Sequence, residues 1–153
     1  MNFIIAFIKC LYDYKNFDGR SKRAEFWWFA LFGLMVSIIT LLIDTAARRI
    51  LSDSFVGIFQ FIGFLALLSP SLAVASRRLH DINKTGWWQL ILFPVYIIQV
   101  SEFLVPGSTQ DPNSMIGLFG LVGFVGVIIL IVFWCKPSIK SENKYGDSQK
   151  YNV

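Results

Sequence analysis

Charged residues are scarce in this 153-residue chain, since Asp, Glu, Lys and Arg make up only 16% of it. Soluble domains usually carry about a quarter. Histidine occurs once, as His80, and cysteine twice, as Cys10 and Cys135. Two distant cysteines exclude a disulfide-stapled module, and with a single histidine they make a zinc site improbable. We therefore expect neither a metal ion nor a cofactor.

Apolar residues are abundant, at 55% of the chain, and phenylalanine alone occurs fifteen times. The mean hydropathy is +0.57. This composition excludes a disordered chain, indicates a membrane protein and argues against a soluble enzyme. The net charge of +4 would suggest a nucleic-acid partner in a soluble protein. Here membrane topology explains the basic residues better, so we expect no nucleic acid.

Four apolar runs approach the length of about 20 residues with which a helix crosses a bilayer. They cover residues 26–43, 55–75, 87–105 and 116–135. Strands are the poorer interpretation, because the runs exceed normal strand lengths and show no alternation. The sequence predicts an all-α integral membrane protein, a four-transmembrane-helix bundle that forms a single membrane domain over 1–153.

The apolar part of the first segment, residues 1–17, is too short to cross a bilayer. Its apolar residues share one helical face: Phe3, Ile4, Phe7, Ile8 and Leu11. We predict an N-terminal interfacial amphipathic helix that lies in the membrane plane. A helix packed on the bundle is an equally good interpretation, and the two are compatible.

Lysine and arginine predict the topology. With four spans, the N-terminal arm, the second loop and the tail over 136–153 share one side, which holds twelve of the fourteen Lys and Arg residues. The positive-inside rule therefore predicts that both termini are cytoplasmic. All five tryptophans fall at the predicted cytoplasmic ends of spans, which is the depth that amphipathic rings prefer.

Three polar clusters stand out against this apolar background. They read GRSKRAEFWW over 19–28, RRLHDINKTGWW over 77–88, and NKYG over 143–146. With these motifs the chain resembles the bacterial inner-membrane family called domain of unknown function 805, whose pattern is GR-x-x-R-x-E-F/Y-W-W, R-R-L-H-D-x-x-x-x-G-W-W and N-x-Y-G. The resemblance implies a small, multi-pass, four-helix protein of the bacterial inner (cytoplasmic) membrane. It implies no activity.

Seven polar residues of these motifs are predicted on one membrane face. They are Arg20, Arg23, Arg77, Arg78, His80, Asp81 and Lys84. Because guanidinium groups grip phosphate bidentately, we expect a non-enzymatic module whose basic face binds an anionic lipid head group or a membrane protein partner. The alternative is that these residues only set topology and pair with carboxylates at helix ends.

Two further hypotheses remain open. Four glycines spaced by three residues in the fourth run predict close helix packing, within the bundle or between protomers of a homo-oligomer. They are Gly117, Gly120, Gly123 and Gly126. With the kink predicted at Pro94 and with the glutamines of the third run, they support a transporter or channel subunit. A membrane enzyme using His80 and Asp81 is the third hypothesis, although adjacent helical residues point about 100° apart and no catalytic residue is assigned.

Overall fold

The computed structural model describes residues 2–50, 57–105 and 116–147. Five α-helices and one 3-10 helix account for most of these residues. They are α1 (Phe3–Tyr12), α2 (Arg23–Ile50), α3 (Ile58–Asp81), the 3-10 helix Gly86–Leu92, α4 (Phe93–Leu104) and α5 (Ile116–Cys135). The predicted all-α class is confirmed for the described residues.

Within the described part of the chain, three helices are long and apolar enough to cross a membrane by length and composition. They are Arg23–Ile50, Ile58–Asp81 and Gly117–Cys135. The apolar run over 87–105 is divided instead between the 3-10 helix and α4. Pro94 lies in the first turn of α4, where its missing N–H removes no helical hydrogen bond. The helix type therefore changes beside Pro94, where the sequence predicts a kink.

The polar motif RRLHD is helical. The sequence predicts that the second span ends at residue 75 and that a loop follows, whereas in the structure helix α3 continues to Asp81. The hydropathy pattern predicts that the span ends where charged residues begin. The helix continues because Arg77, Arg78 and Asp81 are buried and find partners inside the protein.

The chain forms two compact units. Unit 1 comprises residues 1–33, 67–89 and 130–153, and unit 2 comprises 34–66 and 90–129. The buried core of unit 1 joins α1, α2 and α3, with Trp134 of α5 packed against it. Its members are Cys10, Phe26, Phe29, Val74 and Ala75.

Helix α1 divides its apolar residues between two environments in unit 1. Ala6 and Cys10 are fully buried. Ile4 and Ile8 are 66% and 58% exposed. One side of α1 therefore packs against the other helices of unit 1. The opposite side exposes aliphatic side chains, as expected for an interfacial helix that contacts lipid.

Unit 2 is held by apolar and aromatic contacts. The rings of Phe61 and Phe103 stack with centroids 3.9 Å apart. A Cβ added to Gly63 would lie 3.3 Å from Thr40 Cγ2, so α2 and α3 approach closely here. Large apolar side chains such as Leu42 and Phe124 are more than 60% exposed, which suits a lipid-facing surface.

Candidate functional site

Arg77 belongs to a cluster of two cations and two carboxylates in unit 1, in which Arg77 and Glu25 are buried and Lys9 and Asp13 are partly exposed. Its Nη1 lies 2.9 Å from Asp13 Oδ2, and its Nη2 lies 3.2 Å from Glu25 Oε1. Lys9 Nζ lies 2.8 Å from Glu25 Oε2. We call Lys9, Asp13, Glu25 and Arg77 the neutral quartet, because its charges balance. It has no surplus positive charge for an anionic ligand.

The neutral quartet connects three helices. Lys9 belongs to α1, Glu25 to the first turn of α2, and Arg77 to the last turns of α3. The Arg77 carbonyl also accepts a hydrogen bond from Ser21 N at 3.1 Å. Burial raises the pKa of the neighbouring Cys10 thiol to about 12, and the charge of Glu25 adds to the increase. The quartet thus joins α1, α2 and α3 beside a buried thiol.

Two further motif arginines, Arg20 and Arg78, share one carboxylate. Arg20 Nε donates to Asp81 Oδ1 at 2.9 Å, and Arg78 Nη1 donates to Asp81 Oδ2. The side chains of Arg20 and Arg78 are 1% and 0% exposed. Two guanidinium groups against one carboxylate leave one positive charge in excess. We call Arg20, Arg78 and Asp81 the arginine pair cluster.

Backbone carbonyl oxygens complete this cluster. Arg78 donates from Nε and Nη2 to Trp134 O at 3.1 and 3.0 Å, and from Nη2 to Lys136 O. Arg20 donates to carbonyl groups further along the tail. Its acceptors there are Ile139 O, Ser141 O and Gly146 O. Carbonyl dipoles therefore compensate a buried charge that Asp81 alone does not neutralise.

His80 and Asp81 serve different partners. His80 Nδ1 lies 3.1 Å from the Gly19 carbonyl oxygen, which can only accept, so the ring proton is on Nδ1. The ring stacks on Tyr145 with centroids 3.8 Å apart and an interplanar angle of 5°. The Asp81 carboxylate binds the two arginines. His80 thus acts here as a contact for the tail.

Three more accessible cations surround the C-terminal end of α5. Arg23 is exposed, and its Nη1 lies 3.5 Å from Cys135 O. Lys84 Nζ and Lys136 Nζ lie 5.8 and 5.1 Å from the centroid of the Phe133 ring. The negative end of a helix dipole and an aromatic face both attract cations. We call Arg23, Lys84 and Lys136 the cationic collar.

Comparison with known proteins places this arrangement in a family. Residues 14–147 match the family described as "Protein of unknown function (DUF805)". The chain belongs to this family. The three DUF805 motifs, which are far apart in sequence, all lie in unit 1. They supply the arginine pair cluster, the His80–Tyr145 stack and two members of the collar.

Named relatives of this DUF805 chain come from Escherichia coli. The chain is 27% identical over 149 residues to "Inner membrane protein YhaI" of strain K12, covering 95% of each chain. It is 29% identical over 146 residues to "Inner membrane protein YhaH" of that strain, covering 94% of this chain and 95% of the relative. No solved structure matches the chain significantly. The chain is thus a helical membrane protein with inner-membrane relatives.

The seven residues selected from the sequence occupy four settings in the DUF805 chain. Arg77 is in the neutral quartet, and Arg20, Arg78 and Asp81 form the arginine pair cluster. His80 stacks on Tyr145, and the remaining two residues belong to the collar. The binding role assigned to them stays a prediction.

Sequence reasoning missed three residues of these clusters. Lys9 and Asp13 are four residues apart, a spacing that places two side chains on the same face of a helix, and this could have identified both as partners for Glu25 and Arg77. For Lys136, the sequence indicates only a contribution to the positive-inside topology. Its position beside Lys84 depends on α5 ending next to α3, which no local pattern shows.

The four glycines of α5 differ in their surroundings. A Cβ added to Gly123 would lie 2.5 Å from Val95 Cγ2, and one added to Gly126 would lie 2.9 Å from Ile91 Cγ1. Both glycines therefore allow a close approach inside unit 2. Cβ atoms at Gly117 and Gly120 would meet nothing within 4 Å, and packing between protomers at these two positions stays a prediction.

Proposed function

We propose that this protein is a non-enzymatic inner-membrane module whose cationic collar binds the phosphate group of an anionic phospholipid. One observation carries the proposal. Arg23, Lys84 and Lys136 converge on the last turn of α5, while the carboxylate of Asp81 is already held by two arginines. Within residues 2–50, 57–105 and 116–147, no ion pair joins a collar cation to a carboxylate, which leaves the collar its positive charge for an outside ligand.

The surroundings of the collar suit a lipid head group better than a free anion. Trp87 and Trp88, beside Lys84, are 76% and 41% exposed. Amphipathic rings prefer the head-group depth of a membrane. Each cation held near an anionic surface contributes about 1 kcal/mol of attraction, and Arg adds bidentate geometry for phosphate. Aromatic and basic side chains at one helix end support lipid as the ligand.

The proposal requires a membrane orientation in which the collar faces the cytoplasm. We infer four spans with both termini cytoplasmic, and the 3-10 helix together with α4 forms the third. Their seven and twelve residues have a combined rise of about 32 Å, close to the hydrocarbon thickness of about 30 Å. The distribution of Lys and Arg supports the orientation.

Reporter fusions test this orientation. Green fluorescent protein fused after residue 153 should fluoresce, and alkaline phosphatase inserted after residue 110 should be active, because each reporter works on one side only. Alkaline phosphatase that is active after residue 153 would contradict the orientation.

Lipid titration tests the binding itself. The variant Arg23→Gln, Lys84→Gln, Lys136→Gln should bind phosphatidylglycerol in detergent micelles about 100-fold more weakly, since three cations near a surface contribute about 3 kcal/mol together. The matched control is Lys15→Gln, Arg48→Gln, Arg49→Gln, which removes the same charge from exposed positions outside the collar. Its affinity should change less than about threefold.

Two outcomes would contradict the proposal. An equal loss in both triple variants would show that net charge, and not the collar, attracts lipid. An unchanged affinity in the collar variant would exclude the collar as a lipid site and direct the search to a protein partner. The transporter and enzyme hypotheses stay predictions.

A further inference from the structure

The tail of the protein folds over Arg20. We call residues 139–146 the tail clip. Arg20 donates from Nη1 to Ser141 O at 3.0 Å and to Gly146 O at 3.3 Å, and from Nη2 to Ile139 O. With its two bonds to Asp81, all five N–H groups of this guanidinium have acceptors. Three of those acceptors belong to the tail clip.

The tail clip closes on itself as a tight turn. Asn143 N donates to Gly146 O at 3.2 Å, and Gly146 N donates to Asn143 O at 2.9 Å. Gly146 has a φ of +108°, which favours glycine over any residue with a Cβ. The turn aims the carbonyl of Gly146 at Arg20. The N-x-Y-G motif thus shapes a segment that covers a buried cation.

Few side chains hold the tail clip in place. Asn143 Nδ2 donates to His80 O at 3.0 Å, and the Tyr145 ring stacks on the His80 ring. The side chains of Ser141 and Glu142 are exposed, and Tyr145 is only half-buried. Because the segment buries little apolar surface, opening it costs mainly the hydrogen bonds that Arg20 donates to it and the bond from Ile139 N to Asp81 O.

Phosphate is a better acceptor for Arg20 than the carbonyls that it now binds. Arg20 and Arg78 carry two positive charges against the single charge of Asp81, so the cluster lacks an anion. Carbonyl oxygens offer dipoles, whereas a phosphate group offers a full charge and bidentate geometry. Lys136, a collar residue, immediately precedes the segment that leads into the tail clip. Lipid held at the collar is therefore near Arg78, which donates to Lys136 O.

We propose that the tail clip is a displaceable cover over a second phosphate site at Arg20, beside Arg78. The inference rests on the proposed lipid binding at the collar and adds its regulation. When the tail clip opens, a phosphate oxygen replaces the carbonyl oxygens of Ile139, Ser141 and Gly146. The closed tail clip competes with the ligand and lowers its apparent affinity.

Hydrogen exchange of the full chain tests the cover directly. Wild-type protein is compared in nanodiscs of phosphatidylglycerol, of phosphatidylcholine, and of phosphatidylcholine with added inorganic phosphate. Amides of residues 139–146 should exchange about tenfold faster in phosphatidylglycerol than in phosphatidylcholine, because ligand binding shifts the population toward the open form. Amides of α3 over 67–76 should not change and serve as the internal reference.

A second measurement uses variants that loosen the tail clip. Asn143→Ala, Tyr145→Ala removes both side-chain contacts and should tighten phosphatidylglycerol binding by up to about tenfold, since less free energy is needed to open the cover. Tyr12→Ala, Asn16→Ala is the matched control. It removes the same two residue types from exposed positions outside the tail clip, so its affinity should equal that of the wild type.

The outcomes separate this inference from the proposed function. Binding of phosphatidylglycerol with slower or unchanged exchange over 139–146 would overturn the cover and leave the collar intact. No binding of phosphatidylglycerol by the wild type would overturn both. Faster exchange with inorganic phosphate alone would support the covered site while assigning it to a soluble phosphate, against the collar as a lipid site.

Discussion

In unit 1, buried arginines pair with Asp13, Glu25 and Asp81, whereas in unit 2 the buried Asp44 accepts hydrogen bonds from backbone N–H groups. Asp44 Oδ1 and Oδ2 lie 3.1 and 2.8 Å from Phe59 N and Gln60 N at the start of α3. One unit uses full charges to join distant segments, and the other caps a helix with a nearby carboxylate.

The sequence distances explain the difference. Asp44 is 15 and 16 residues from the amides that it caps. Arg20 is 61 residues from Asp81 and 126 from Gly146. A cap stabilises one local connection, while buried ion pairs require several segments to arrive together. The segments of unit 1 must therefore pack together to be stable, since each buried charge is costly until its partners are present.

Removing the carboxylate of Asp81 should have the largest effect on stability. Asp81→Asn leaves Arg20 and Arg78 buried without a counter-ion and should lower the free energy of unfolding by about 3–5 kcal/mol. Denaturant unfolding in detergent, followed by tryptophan fluorescence, measures the loss. The exposed Asp147→Asn is the control and should change stability by less than about 0.5 kcal/mol. Equal losses in the two variants would contradict the account of unit 1.

Gly86 should show a steric effect of intermediate size. A Cβ at Gly86 would lie 2.1 Å from Ser76 Oγ and 3.1 Å from Ser76 Cβ. Gly86→Ala should therefore cost about 1–3 kcal/mol of unfolding free energy, because a packed interface must open. Combining it with Ser76→Ala should recover part of the loss, since the nearest atom is removed.

The glycine control comes from α5. Gly120→Ala should not destabilise the protein, because an added Cβ meets nothing within 4 Å. If Gly120→Ala lowered the free energy of unfolding as much as Gly86→Ala, the loss could not be due to the contact with Ser76.

In unit 2, the cap at Asp44 should contribute less than the ion pairs of unit 1. Asp44→Ala removes the acceptor of two backbone N–H groups and should cost about 1–2 kcal/mol of unfolding free energy. Asp44→Asn keeps one acceptor oxygen and should cost less. If Asp44→Ala destabilised the protein more than Asp81→Asn, the contrast between the units would be reversed.

The reactivity of the two cysteines tests their burial. At pH 8 the raised pKa of about 12 reduces the thiolate fraction of Cys10 about a thousandfold from that of an ordinary thiol. Maleimide labelling of Cys10 in the Cys135→Ser variant should be slow and should accelerate steadily as the pH rises to 10. Labelling of the exposed Cys135 in the Cys10→Ser variant should be faster at every pH. Equal rates at pH 8 would show that α1 does not pack Cys10 against α2 and α3.

Hydropathy predicts most of the helical architecture, because long apolar runs report a property of each segment alone. The fourth run, predicted over 116–135, coincides with α5. The helical state of Arg77–Asp81 could not be predicted, since it depends on partners in α1, α2 and the tail. Likewise, the sequence predicts one basic face. It does not show that Arg23 belongs to the cationic collar, Arg77 to the neutral quartet and Arg78 to the arginine pair cluster, because these assignments depend on tertiary contacts.

The most direct test of the central claim is native mass spectrometry of protein released from micelles that contain phosphatidylglycerol and phosphatidylcholine. The wild type should retain phosphatidylglycerol in preference to phosphatidylcholine, and the Arg23→Gln, Lys84→Gln, Lys136→Gln variant should lose that preference. Identical lipid-bound spectra for the wild type and this variant would contradict the claim that the cationic collar is the lipid site.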